Sequence, residues 1–233
     1  MAMNPAPLEL THVLYDADSP VSLAFALVTL SPVLLMASYA ALAVVTRDLL
    51  IINMWAGQLA CEAINLFIKR IVRQERPAKS YGSGYGFPSS HSQYMGYFSS
   101  FLLLHLLLRH RFASTGSWFL DAMRIIVFGG AIVAWAGSVC YSRYHLTYHT
   151  AAQILWGVVI GILLGTTHYT LTELLPFRQP YSLAGRLRAT LLESEICTWL
   201  RVRDGWAVWA DGGDEAGWKL WRERWDARRR KKV

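Results

Sequence analysis

Between Val21 and Thr46 the chain runs for 26 residues without a charged side chain. At about 1.5 Å per helical residue that is enough to cross a hydrocarbon core of about 30 Å, and longer than a core helix needs to be. Four further stretches are nearly as apolar: Leu49 to Ile68 with one charge at Glu62, Ser92 to Leu108 with only His105, Ile125 to Ser142, and Thr150 to Thr172 with only His168. They predict five spanning helices in an all-α, polytopic bundle, the third being the shortest. Composition agrees, since 17% charged residues against 54% hydrophobic ones falls below the roughly 25% charge of a soluble domain. The first run reads as an uncleaved anchor and not a signal peptide, because Glu9, Asp16 and Asp18 precede it and no basic segment does. Pro32 within it predicts a kink.

The net charge of +7 divides unevenly. Residues 1–176, expected as the membrane-embedded domain, hold 10 Lys+Arg and 8 Asp+Glu; residues 177–233, expected as a basic surface tail, hold 13 and 8. Six of the ten tryptophans lie in that tail, a mixture that suits a headgroup-level segment as well as a solvated one. No nucleic-acid-binding pattern accompanies the basicity, so the implied surface is a bilayer. Cys61, Cys140 and Cys197 are isolated and say nothing about redox compartment.

Alternating spans place Arg47-Asp48, Arg109 to Arg124 and the tail on one side, and Lys69 to His91 with Arg143 to His149 on the other. The cations of the two sides nearly balance, so charge alone leaves orientation open; the tail is expected to be cytoplasmic if the second-side cations serve a bound anion.

The second side holds the chemistry. Lys69, Arg76 and Arg143 supply positive charge and forked N–H donors suited to phosphate oxygens. Ser89, Ser90 and the amides that open the third helix add neutral donors at a positive dipole end. His91 and His149 can divide phosphoryl transfer between a nucleophile and an acid. No carboxylate cluster gathers there, so no metal ion and no cofactor is expected. Glu62, Asn65 and Lys69 share a helix face, where Glu62 or Asn65 either orients a cation or makes an interhelical contact. The glycine-rich stretch Gly82 to Gly86 reads as a flexible rim. His105, His110 and His168 read as structural, and His145 as an outside candidate.

Lys69-x6-Arg76-Pro77, Pro88-Ser89-x-His91 and Ser142-Arg143-x5-His149 closely resemble the three signatures of the type 2 phosphatidic acid phosphatases, a superfamily that includes the vanadium haloperoxidases. The resemblance implies a haloperoxidase-like helical core and metal-independent phosphatase chemistry through a phosphohistidine. It assigns His149 as nucleophile, His91 as the acid, and Lys69, Arg76, Ser90 and Arg143 as phosphate ligands. Two departures stand out: five spans where six are usual, and Gln153 where the superfamily places an Asp four residues after the nucleophile.

Gln153 itself, with Tyr85 to Gln93, Tyr141 to Tyr144 and Leu10-Thr11-His12-Val13-x-Tyr15, is similar to the eukaryotic dolichyldiphosphatases. That resemblance implies a dolichyl diphosphate lipid as partner and substrate, hydrolysed at the lumenal face of the endoplasmic reticulum. Two other readings stay open: a related lipid phosphatase acting on phosphatidate, sphingoid phosphates or another polyprenyl diphosphate, and a non-catalytic lipid transporter or scaffold. Oligomeric state is not legible.

Overall fold

A computed structural model describes residues 5–8, 13–78, 80, 82 and 84–230, the first four by their backbone. Lys79, Leu10 to His12 and the last three residues lie outside the described set. Four helical stretches are long and apolar enough to cross a membrane: Pro20–Thr46, Leu49–Val72, Trp118–His145 and Ala151–Arg178. The fifth expected span is the helix Ser90–Leu108. It is more polar than the others because it faces inward.

The first span is two helices, α1 (Pro20–Val28) and α2 (Ser31–Thr46). Pro32 has no N–H to give, and its ring excludes the carbonyl four residues back, at Val28. The expected disturbance falls at Thr29-Leu30, a turn in which both residues keep right-handed helical dihedrals within one span. The Ser31 hydroxyl donates to the freed Val28 carbonyl at 2.6 Å, and Trp135 Nε1 donates to Ser31 Oγ at 2.9 Å. Helix α3 (Leu49–Val72) follows directly, capped by the Asp48 carboxylate.

Helix α4 (Ser90–Leu108) is the hub, in contact with α3, α5 (Trp118–His145) and α6 (Ala151–Tyr169). Its Tyr94, Tyr97, Phe98 and Phe101 are all under 7% exposed and fill the core with Tyr39, Met54, Val139 and Tyr169. Helix α6 meets α4 through Gly157, Gly161 and Gly165, one per turn. A β-carbon at Gly157 would come within 2.7 Å of the Ser89 carbonyl, one at Gly165 within 2.7 Å of the Tyr97 carbonyl, and one at Gly161 would overlap the Gln93 carbonyl. Small residues at this spacing let two backbones approach, which in a bilayer replaces the missing hydrophobic drive. Outward-facing residues such as Val45, Phe128 and Leu155 are exposed on the bundle surface, as lipid-facing side chains must be.

At one end of the bundle an antiparallel hairpin, β1 (Pro5–Leu8) and β2 (Val13–Asp16), adds a small sheet to the helical fold. At the other, α6 runs through a π turn at Thr170–Leu174 into α7 (Leu175–Arg178), and the chain folds back as α8 (Leu183–Glu193), α9 (Glu195–Leu200), α10 (Gly205–Val208) and α11 (Asp214–Arg230). This end is stitched by Leu49 N–H to the Arg203 carbonyl at 2.8 Å, Arg111 N–H to the Ala210 carbonyl at 2.8 Å, and Arg109 to the Trp206 carbonyl at 2.8 Å. Arg188 reaches both Glu173 and Asp204 there, at 3.0 and 2.7 Å.

Candidate active site

The C-terminal turns of α3 and α5 and the N-terminal turns of α4 and α6 meet at the hairpin end of the bundle. They bring together Lys69, Arg76, Ser90, His91, Arg143, His149 and Gln153. His149, in the short loop between α5 and α6, is 2% exposed. Its Nδ1 lies 3.0 Å from the Gly86 carbonyl, and its Nε2 lies 3.1 Å from Arg76 Nη1. A carbonyl can only accept and a guanidinium only donate, so the ring carries its proton on Nδ1 and offers the Nε2 lone pair to the cation side. Burial, then the charges of Arg143 and Arg76, pushes the His149 pKa down to about 3, outweighing the opposing hydrogen bond from Gln153. The imidazole is neutral at physiological pH, which is the nucleophilic form.

Gln153 stands beside this contact. Its Nε2 donates to the Glu75 carbonyl at 2.8 Å, which turns Oε1 toward His149 Nδ1 and the Thr150 N–H, each at 3.3 Å. With Thr150 it forms a capping box that starts α6. The amide thus braces His149 and the loop that carries Arg76 together, while the Gly86 carbonyl is the nearer partner of the imidazole. A β-carbon at Gly86 would come within 2.8 Å of the Gln153 amide, so any larger residue here would push that amide from its place.

The cations converge from three elements. Lys69 Nζ donates to Ser90 Oγ at 3.4 Å. Arg76 also donates to the Tyr148 carbonyl at 3.1 Å, and Gly82 packs against its guanidinium. Arg143 is 5% exposed, and its Nε has no hydrogen-bond partner among the described residues. A buried donor left unsatisfied costs about 1–3 kcal/mol, a cost that an anion ligand removes. His91, in the first turn of α4, lies within electrostatic reach of Arg143, His149, Lys69 and Arg76. It lines a cavity of about 240 Å³ with Ser90, Glu62, Tyr94, Pro32 and Met36, so one face of the site opens onto apolar wall.

Other expectations sort by geometry. Ser89 caps α4, its Oγ accepting from Ser92 N–H and Ser92 Oγ, so Ser90 is the serine whose hydroxyl meets a cation. Asn65 Nδ2 donates to Gln93 Oε1 at 2.8 Å, an interhelical contact. His145 packs on Phe25. His168 pairs with the Tyr97 hydroxyl, and His105 packs on Trp206. Among the described residues no group of three His, Cys, Asp or Glu side chains is placed to hold a metal ion.

Tyr148 has no sequence signature beyond standing next to His149, yet it joins the two arginines. Its carbonyl accepts from Arg76, its ring lies 4.0 Å under the Arg143 guanidinium, and its hydroxyl accepts from Leu14 N–H of the hairpin at 2.9 Å. A desolvated cation–π contact contributes about 2 kcal/mol. Tyr148→Leu is therefore expected to weaken vanadate inhibition of turnover by up to about thirtyfold, with Tyr148→Phe staying near the unmodified protein. Equal effects from the two substitutions would place the ring's role in the hairpin contact and not under Arg143.

Residues 50–175, just over half the chain, match the PAP2 superfamily. The chain belongs to that superfamily. Within it, the family is that of the dolichyldiphosphatases: a putative dolichyldiphosphatase of Neurospora crassa is 34% identical over 98% of this chain and 97% of its own. Dolichyldiphosphatase 1 of Homo sapiens is 34% identical over 72% and 71%, and the dolichyldiphosphatase of Saccharomyces cerevisiae 34% over 71% and 70%. No solved structure matches this chain.

Proposed function

We propose that this chain is a membrane phosphatase that hydrolyses dolichyl diphosphate to dolichyl phosphate and inorganic phosphate, at the lumenal face of the endoplasmic reticulum, returning the lipid carrier for protein N-glycosylation. The carrying observation is the neutral His149, its Nε2 lone pair aimed at the cations that would hold a phosphate. The names of the relatives supply the lipid.

In the proposed reaction Lys69, Arg76 and Arg143 take the non-bridging oxygens of the terminal phosphate, with the Ser90 hydroxyl and the amides opening α4 beside them. His149 Nε2 attacks the terminal phosphorus, and the bond from phosphorus to the bridging oxygen breaks. His91, made imidazolium by the incoming negative charge, gives its proton to the departing lipid phosphate. Neutral His91 then accepts a proton from water as that water attacks phospho-His149, and phosphate leaves. The apolar cavity lies on the His91 side, the side from which a lipid leaving group must depart. Gln153 and the Gly86 carbonyl keep the Nδ1 proton in place throughout. The three cations do the electrostatic work that a metal ion does in many phosphoryl-transfer enzymes.

The test is phosphate release by the purified full-length protein, with EDTA present, from dolichyl diphosphate, phosphatidate and a sphingoid phosphate. Release is expected to be fastest from the diphosphate and indifferent to the chelator. Preference for phosphatidate would move the reading to a related lipid phosphatase, and loss with EDTA would overturn the metal-free mechanism.

A further inference from the structure

The other end of the bundle ends in a helix with no function in this chemistry. Helix α11 has no buried residue along its 17 positions. Three of its four acids share one side. Glu215 pairs with Lys219 at 3.4 Å and Asp226 with Arg222 at 3.2 Å, each one turn apart. The remaining acid of its middle, Glu223, falls on the same side by helical spacing. The opposite side carries a groove of about 370 Å³ lined by Gly217, Leu220, Trp221, Arg224, Trp225 and Arg228, with no acid among them. Trp221 and Trp225 stack there with ring centroids 5.8 Å apart, and Gly217 leaves the groove open at its N-terminal end. Half-exposed indoles and two guanidiniums line one face, with Asp214 of the first turn the one acid that falls on that side by spacing, and together they complement a surface that is at once apolar and anionic.

Position says which surface. Asp211 anchors the start of α11, its carboxylate accepting from Gly213 N–H at 2.9 Å and Glu215 N–H at 2.7 Å. One residue earlier, the Ala210 carbonyl holds Arg111, just beyond the end of α4. Gly212 and Gly213, at φ of 79° and 101°, turn the chain out of that contact. The helix thus begins where the spans end, at the depth where indoles and arginines find headgroups.

We propose that α11 docks on the anionic phospholipid surface at this end of the bundle, with Trp221 and Trp225 at the headgroup boundary and Arg224 and Arg228 on lipid phosphates. A leaflet rich in anionic lipid is the cytoplasmic one, so the docking also orients the bundle, with His149 on the opposite side.

The experiment is hydrogen exchange of the full-length protein in nanodiscs of phosphatidylcholine, alone or with phosphatidylserine. Amides of residues 214–230 are expected to exchange at least tenfold more slowly with phosphatidylserine, and the protection should fade as salt rises, since the screening length shrinks from about 10 Å at 0.1 M to about 3 Å at 1 M. Arg224→Glu with Arg228→Glu should remove the protection while exchange in α4 stays unchanged, reporting an intact fold. Equal exchange in the two discs, protection that survives the double substitution, or protection that appears only with an acidic protein added would each overturn the proposal.

Discussion

His149→Ala lowers turnover by about 10⁴-fold or more, the scale on which loss of a nucleophile acts, while the protein keeps its fold and still gains thermal stability from inorganic phosphate. Phosphate release from the lipid diphosphate, set beside a thermal shift with phosphate, checks both halves. Turnover within about tenfold of the unmodified protein would remove His149 from the chemistry.

The same residue predicts a pH signature. A folded pKa of about 3 against an ordinary value near 6.5 means that the unfolded chain binds the extra proton first. Stability therefore falls as pH drops from about 6.5 toward the folded value, and is unaffected by His149 above that window. Histidine-labelled NMR of the ligand-free protein is expected to show the neutral Nδ1–H tautomer unchanged between pH 7 and pH 5.

The largest expected loss of stability lies far from this site, at Arg188. Its guanidinium spans Glu173 and Asp204 and donates to the Thr172 carbonyl at 2.6 Å, while Asn53 adds a donor to Glu173 at 2.7 Å. Glu173 is 2% exposed. The π turn around it carries the side chain inward, where a carboxylate without its partner would have no water. Arg188→Ala strands two acids in this position at a cost of about 3–5 kcal/mol, which should lower the unfolding temperature in detergent by on the order of 10 °C. Lys219→Ala, on the exposed ion pair of α11, should cost less than about 1 kcal/mol. Arg188→Met combined with Glu173→Gln should recover part of the loss; a double variant no better than Arg188→Ala would mean that the charges are not what the network supplies.

Lys69, Arg76, His91, Arg143 and His149 were legible because chemically distinctive side chains stand together where expected helices meet the interface, in three segments that resemble known signatures. Tyr148 was not, since a ring under a guanidinium leaves no mark in composition. Nor was the Gly86 carbonyl, because every residue has one and only the folded loop aims it at Nδ1. The spans could be read from apolar length, yet the central position of α4 shows only in three dimensions, where the polar residues that make it the least hydrophobic span find partners. Pro32 announced a disturbance; that the Ser31 hydroxyl takes the freed Val28 carbonyl shows only in the folded chain. The return of the chain after α7 depended on Glu173 and Arg188, which are distant enough in type and context to look like ordinary surface charges.

The glycine contact between α4 and α6 has a bearing on catalysis. The two histidines are carried by its two sides, His91 on the first turn of α4 and His149 just ahead of α6. Where Gly157 touches the Ser89 carbonyl, the separation of the helix axes is also the separation of the two histidines proposed to attack and to protonate. Widening it by one methyl group would move His91 relative to His149 without altering either, and in-line transfer is sensitive to displacements of that order. In the proposed reaction, the reach of His91 to the leaving oxygen is thus set by the absence of a side chain.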